Sequence, residues 1–216
     1  MTQRTYLDHN ATAPVRPEVI NATANAMRAD GNALSVHTEG RAARAMVEKA
    51  REQVRSLVNG PVNGVIFTSG GTEANHYAIH GLARAGKIKR IYVSAIEHAA
   101  IPTNAETTGL PVESVPVTAD GVVDLDALAA AIAGEEGGFL VCLMLANNET
   151  GVIQPVRAAA DLVHARGGYL FVDAAQAVGK IPVNFVMLGA DMMAMTGHKF
   201  GAPTGIGALI VAPNLP

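Results

Sequence analysis

The sequence contains one cysteine, Cys142, in 216 residues. That excludes an internal disulfide framework and a zinc site built from four thiolates. Charge is also scarce: Asp, Glu, Lys and Arg make up 16% of the chain, against about 25% in an ordinary soluble domain. A surface so poor in charge is either drawn into a core or shared with a partner, which favours an oligomer. The net charge of −3 gives no field that would attract nucleic acid or an anionic membrane. No apolar run is long enough to span a bilayer. Residues 1–15, MTQRTYLDHNATAPV, hold neither an apolar signal-peptide core nor an Arg/Ser-rich amphipathic pattern. A cytosolic protein is expected, long enough for one substantial domain or for one domain and part of another.

What the chain does have is alternation of two periods. Two amphipathic helices open it. Pro17 can start one that runs to about Ala29, and Gly31-Asn32 ends it. The second covers Thr38 to about Val58, with Ala43, Met46, Val47, Ala50, Val54, Leu57 and Val58 on one stripe. Strands are then predicted at Gly64–Thr68, Arg90–Ser94, Val112–Val117, Phe139–Leu145, Tyr169–Asp173, Asp191–Thr196 and Gly207–Ala212. Helices are predicted between them at Thr72–Ala85, Ala99–Thr108, Leu125–Ala133 and Val156–Arg166. Segments such as FLVCLML are apolar throughout, as strands covered on both faces are. The fold class is therefore α/β, with a mostly parallel central sheet and helices on both faces.

In such sheets ligands bind beyond the carboxyl ends of the strands. Polar, chemically capable residues recur at those positions: Ser69-Gly70-Gly71-Thr72-Glu73, Glu97-His98, Asn147-Asn148-Glu149, Asp173 and His198-Lys199. The SGGT turn opening a helix can hold a phosphate on its unpaired N–H groups, or it is an ordinary glycine turn capped by Thr72. It lacks the lysine of a nucleotide P-loop. Of five lysines, Lys49, Lys87 and Lys89 look solvated and Lys180 lies in a turn. Lys199 sits between the apolar DMMAMT and a glycine-rich loop. Partial desolvation there would favour the neutral amine needed for an imine, although a structural lysine paired with a carboxylate fits as well.

Asp173 could cap a turn, bind a metal or face a protonated pyridine nitrogen. Beside a phosphate cradle and a desolvated lysine, the last role gains weight. His98 could stack on a flat ring or shuttle protons, or be structural. His76 and His80 share a helix face but lack a third ligand and the glutamate of a zinc protease, so no metal site is expected. Cys142 reads as a buried, inert thiol.

The stretches YLDHNATAPVRPEV, GNALSVHTEGR, VIFTSGGTEAN, EHAAI, LANNETGVIQP, FVDAAQAVGKIPV and TGHKFGAPTGIGALIV together resemble the class V, fold type I enzymes dependent on pyridoxal 5′-phosphate (PLP). Within that superfamily the resemblance is to the cysteine desulfurases, with selenocysteine lyases and other class V aminotransferases or lyases as near alternatives. The resemblance implies that Lys199 forms the imine with the cofactor and moves protons at the substrate Cα. Gly71, Thr72, Thr196 and His198 would bind the phosphate. His98 would stack on the ring, Asp173 would pair with its nitrogen, and Gln176 and Asn148 would lie near its phenolic oxygen. It further implies L-cysteine as substrate, alanine as product, and a homodimer. The sulfur would pass through an enzyme persulfide toward an acceptor or scaffold protein for iron–sulfur cluster assembly or another thio-cofactor.

Two departures from the pattern matter. Ala33 stands where the family usually has Pro. The resemblance also implies a continuation past Pro216, with a small C-terminal domain, the sulfur-accepting cysteine and an arginine for the substrate carboxylate. On that expectation, residues 1–15 pack against the absent domain and the active site, and 16–216 form an incomplete PLP-binding large domain. The 216-residue chain alone is then not expected to turn over cysteine, or is a non-catalytic fragment that binds PLP.

Overall fold

The computed structural model describes residues 5–213 and 215. Along it run α1 (Pro17–Met27), α2 (Thr38–Leu57), β1 (Val65–Thr68), α3 (Gly71–Arg84), β2 (Arg90–Ser94), α4 (Ala100–Glu106) and β3 (Val112–Val115). Then follow α5 (Leu125–Ala131), β4 (Phe139–Met144), α6 (Val156–His164), β5 (Tyr169–Asp173), α7 (Phe185–Leu188), β6 (Met192–Thr196) and β7 (Gly207–Val211). Every strand and helix expected from the periodicity is present. The additions are the single turn α7 and a 3₁₀ turn, Gly197–Lys199, that prolongs β6.

The strands form one sheet in the order β1-β7-β6-β5-β4-β2-β3. Neighbours from β3 to β6 are parallel, whereas β7 runs antiparallel to both β6 and β1. Two reversals restore direction, so β1 points the same way as β6. Their ends meet through β7, with Gly207 opposite both Thr68 and Thr196. Six strands thus deliver their carboxyl ends, and the loops that follow them, to a single edge.

The two faces of the sheet bury separate clusters. Ile79, Leu82 and Ile101 of α3 and α4 pack on Ile91, Leu140, Cys142 and Phe171. On the other face Leu128, Ala159 and Val163 of α5 and α6 pack on Tyr92, Phe139, Val141 and Leu170. Alternate residues of β4 and β5 therefore feed opposite faces, which is why FLVCLM is apolar at every position. Burying side chains of this size stabilises by roughly 1.5–3 kcal/mol each.

The two N-terminal helices behave differently. Only the end of the α2 stripe reaches the core, with Val58 buried and Val54 half-buried, whereas Met46, Val47 and Leu57 remain exposed. No residue of α1 is buried. Ile20, Met27, Leu34 and Val36 face solvent, the last two at 91% and 87% exposure.

Candidate active site

At the carboxyl edge lies a cleft of about 620 Å³ lined by residues from or next to the loops that follow β1, β2, β4, β5 and β6. Gly71, Thr72, His98, Asn148, Asp173, Gln176, Thr196, His198 and Lys199 all line it. Residues drawn from positions 71 to 199 are thus brought to one cavity by the sheet order.

Its floor is the start of α3. Gly70 precedes the helix and offers no side-chain cap, and Thr72 lies inside the first turn. The capping role open to Thr72 in the sequence is therefore not the one it takes. Glu73 instead reaches back to the Ser69 N–H at 2.5 Å. The Gly71 and Thr72 N–H groups belong to the unsatisfied first turn of a helix, where an anion is stabilised. This loop can approach β7 because position 207 is glycine: a Cβ there would sit 2.6 Å from the Gly70 carbonyl carbon.

Asp173 closes the inner end. It is 8% exposed, and its Oδ1 accepts from the Ala175 N–H at 2.9 Å while Oδ2 accepts from Asn75 Nδ2 at 3.3 Å. It does cap a turn, and it still lines the cleft. Burial raises its carboxyl above the usual range, against the opposing pull of these two N–H donors and of His98 and Lys199. Glu97, next to His98, places a second carboxyl nearby. Its Oε1 accepts from the Met144 N–H at 2.6 Å, and its enclosed Oε2 has no partner among the described residues. Burial, then the proximity of Asp173, pushes Glu97 up to about 8.

Lys199 stands at the opposite side, on the 3₁₀ turn after β6. Its Nζ donates to the carbonyls of Asn10 at 2.5 Å and Ala11 at 3.0 Å. Burial lowers its ammonium from the usual range, with Asp173 and Asp8 opposing. A carboxylate salt bridge to Lys199, the structural alternative for this residue, is not among the ion pairs of the described residues. His198 is lowered by burial and by Lys199, and its Nδ1 lies 3.2 Å from Thr12 Oγ1. The His98 ring is exposed at the mouth, with Nδ1 accepting from the Ala100 N–H at 3.2 Å.

Several cleft residues were not singled out individually from the sequence. Asn75 lies four residues after Gly71 on the same face of α3, a spacing that would have placed it beside the phosphate turn. Asp8, Asn10 and Ala11 come from the N-terminal segment, and that segment is laced to the lysine turn by Ala13 N–H to His198 O at 2.8 Å and Arg16 N–H to Gly201 O at 3.0 Å. Such long-range contacts have no local pattern.

The other candidates fall outside the cleft. The His76 and His80 rings stack at 4.1 Å, and each bonds to α4 or its end, at Asn104 (3.0 Å) and Thr107 (3.2 Å). They tie two helices together, and no cluster of potential metal ligands occurs among the described residues. Cys142 is wholly buried mid-strand, its thiol raised well above the ordinary range by burial and then by Glu97 and Asp173.

A cradle for an anion, a buried carboxylate, a desolvated amine and an exposed imidazole thus surround one slot. Residues 5–216 match the aminotransferase class-V family model, and the chain belongs to that family. An IscS-like cysteine desulfurase of Mycobacterium tuberculosis is 39% identical over 215 residues, covering 95% of this chain and 55% of that protein. Among solved structures, a NifS-like protein superposes with a TM-score of 0.94 at 33% identity, over 99% of this chain and 60% of the other. The NifS-like protein from Rickettsia africae gives 0.91 at 30% identity, over 99% and 59%. The chain spans about half the length of the curated relatives it matches. No helix of the described residues is long and apolar enough to cross a membrane.

Proposed function

We propose that this chain holds PLP and forms the cofactor-binding part of a cysteine desulfurase acting on L-cysteine. The observation that carries the proposal is the meeting of Lys199, Asp173 and the start of α3 in one cleft. PLP, when bound, supplies an aldehyde that condenses with amines and a ring that withdraws charge from the substrate Cα.

The residues divide the work by position. Gly71, Thr72, Thr196 and His198 bind the phosphate, the first two through the N–H groups of α3. Asp173 offers a carboxylate in a pocket where water cannot replace it, so a protonated ring nitrogen there is strongly favoured. His98 would cover one face of the ring from the mouth of the cleft. Gln176 and Asn148 orient the phenolic-oxygen side. Lys199, with its ammonium destabilised by burial, holds a larger fraction of neutral amine and can take or return a proton at Cα.

Homodimerisation is part of the proposal, supported by the uncovered apolar side chains Ile20, Met27, Leu34 and Val36. So is transfer of the sulfur, through an enzyme thiol, to an acceptor or scaffold protein. Because such a carrier must stay a free thiolate, a reducing cytosolic setting belongs to the same reading. Cys142 is not that carrier, since a buried strand thiol cannot reach a ligand in the cleft. Incubation with PLP followed by borohydride reduction and peptide mapping tests the reading. The pyridoxyl group is expected on Lys199 and not on Lys49, Lys87, Lys89 or Lys180; label mainly on another lysine would overturn it.

A further inference from the structure

Lys180, nineteen positions before Lys199 with the whole of β6 between them, sends its ammonium to the same place as Lys199. Its stem is exposed, but Nζ donates to Gln176 Oε1 at 2.5 Å and to Asn10 Oδ1 at 2.9 Å. An ammonium carries donors only. The Gln176 amide must therefore turn its oxygen toward Lys180, which leaves its NH₂ on the other side. There Nε2 donates to the Asn10 carbonyl at 2.9 Å, the oxygen that also accepts from Lys199 at 2.5 Å. The Asn10 side chain completes the ring of contacts, with Nδ2 donating to the Asn148 carbonyl at 2.9 Å.

We propose that Lys180 is a positioning residue for the cleft: it fixes which end of the Gln176 amide faces Lys199, and it holds the Asn10 turn over the Lys199 amine. The inference rests on the PLP reading for its purpose but not for its geometry. Two donors, Gln176 Nε2 and Lys199 Nζ, converge on one acceptor oxygen, the Asn10 carbonyl. A ligand oxygen that takes the place of that carbonyl finds both donors already aimed. Without Lys180 the amide can rotate and present its oxygen instead, which repels such a ligand atom. The Asn10 turn would also lose its side-chain anchor beside Lys199.

The test begins without cofactor. The protein, Lys180→Met and Lys180→Arg are pulsed with acetic anhydride, and acetylation of Lys199 is measured by mass spectrometry relative to exposed Lys49. Lys180→Met keeps the stem and removes the donors. Lys199 should then react roughly three- to tenfold faster, the equilibrium worth of one or two such bonds. Lys180→Arg, again a donor without an acceptor, should stay close to the parent. Removing a neighbouring positive charge alone would raise the Lys199 amine's pKa and slow the reaction, so electrostatics and release act with opposite signs. Unchanged or slower labelling in Lys180→Met overturns the proposal. A second arm titrates PLP by absorbance: binding should weaken in Lys180→Met by a similar factor and recover in Lys180→Arg. Equal affinity in all three would overturn the claim about Gln176. If PLP and borohydride fail to label Lys199 in the parent, the functional reading falls, while the acetylation arm still decides the role of Lys180.

Discussion

Asn75 of α3 donates its side-chain amide to Asp173 at the end of β5, across 3.3 Å and 98 positions of sequence. The bond stabilises the charged form of Asp173, and the Ala175 N–H does the same from the other side. Burial opposes both and is the larger effect. The carboxylate is thus held where its charge is unfavourable until a cation faces it.

Asp173→Asn should therefore separate stability from ligand binding. A group whose carboxyl is raised in the folded state keeps its proton longer folded than unfolded, so its contribution is complete below the unfolded value near 3.8 and is lost as pH rises through the folded one. At neutral pH the amide variant should melt no lower than the parent. PLP affinity, read by absorbance titration, should drop by at least about tenfold, since a neutral amide cannot hold a ring cation. A variant that binds PLP as the parent does would show that Asp173 serves only the turn at Ala175.

Glu97 predicts a slope in the pH dependence of stability. The folded chain retains this proton up to about pH 8, whereas an unfolded glutamate releases it near 4.5. Between those values the unfolded state binds fewer protons, so stability should fall as pH rises, by at most about 1.4 kcal/mol per pH unit. Because Asp173 lies beside it, the two titrate as a pair. Glu97→Gln keeps an oxygen for the Met144 N–H and removes the titration. Urea unfolding at pH 5.5 and 8.5 should show the parent losing stability at the higher pH and the variant losing much less.

Cys142 should be chemically silent. With the thiol enclosed in β4 and held in its protonated form, a disulfide reagent should react only as fast as the domain opens, and at once in denaturant. Cys142→Ala should leave any sulfide release from cysteine unchanged, while Cys142→Ser should destabilise by about 1–3 kcal/mol through a buried, unpaired hydroxyl. Rapid reaction of the native thiol would place it outside the sheet.

Gly207→Ala tests the approach of β7 to the phosphate turn. A methyl group there meets the Gly70 backbone at 2.6–2.8 Å, and neither partner is a flexible side-chain end. Overpacking of this kind costs about 1–3 kcal/mol. PLP affinity should fall together with the melting temperature, because the displaced backbone is the one that leads into Gly71.

The sheet was legible in the sequence because its strands are short apolar runs set off by glycines and polar turns, and the residues after them mark the ligand edge. α7 escaped because four residues carry no readable period. The exposure of Met46 and Val47 was not legible either, since a periodic stripe states that a helix has an apolar face and not what covers it. The particular roles of Lys180 and Asn10 were not legible for a third reason. Their roles depend on hydrogen bonds spanning 170 positions, which only the folded chain brings within reach.

The doubling back of β7 has a consequence for the order in which the molecule can be made. β1 is complete at Thr68, yet its strand neighbour, β7, begins only at Gly207. At ordinary synthesis rates of about 5–20 residues per second, the nascent chain waits roughly seven to thirty seconds with β1 unpaired. During that interval the SGGT turn has no fixed relation to the lysine turn, because β7 is the strand that joins them. An edge left open so long is a site for mispairing with other chains. Ribosome-bound intermediates halted before residue 207 should therefore be the ones that recruit chaperones, and the ligand edge should assemble in a single event when β7 inserts.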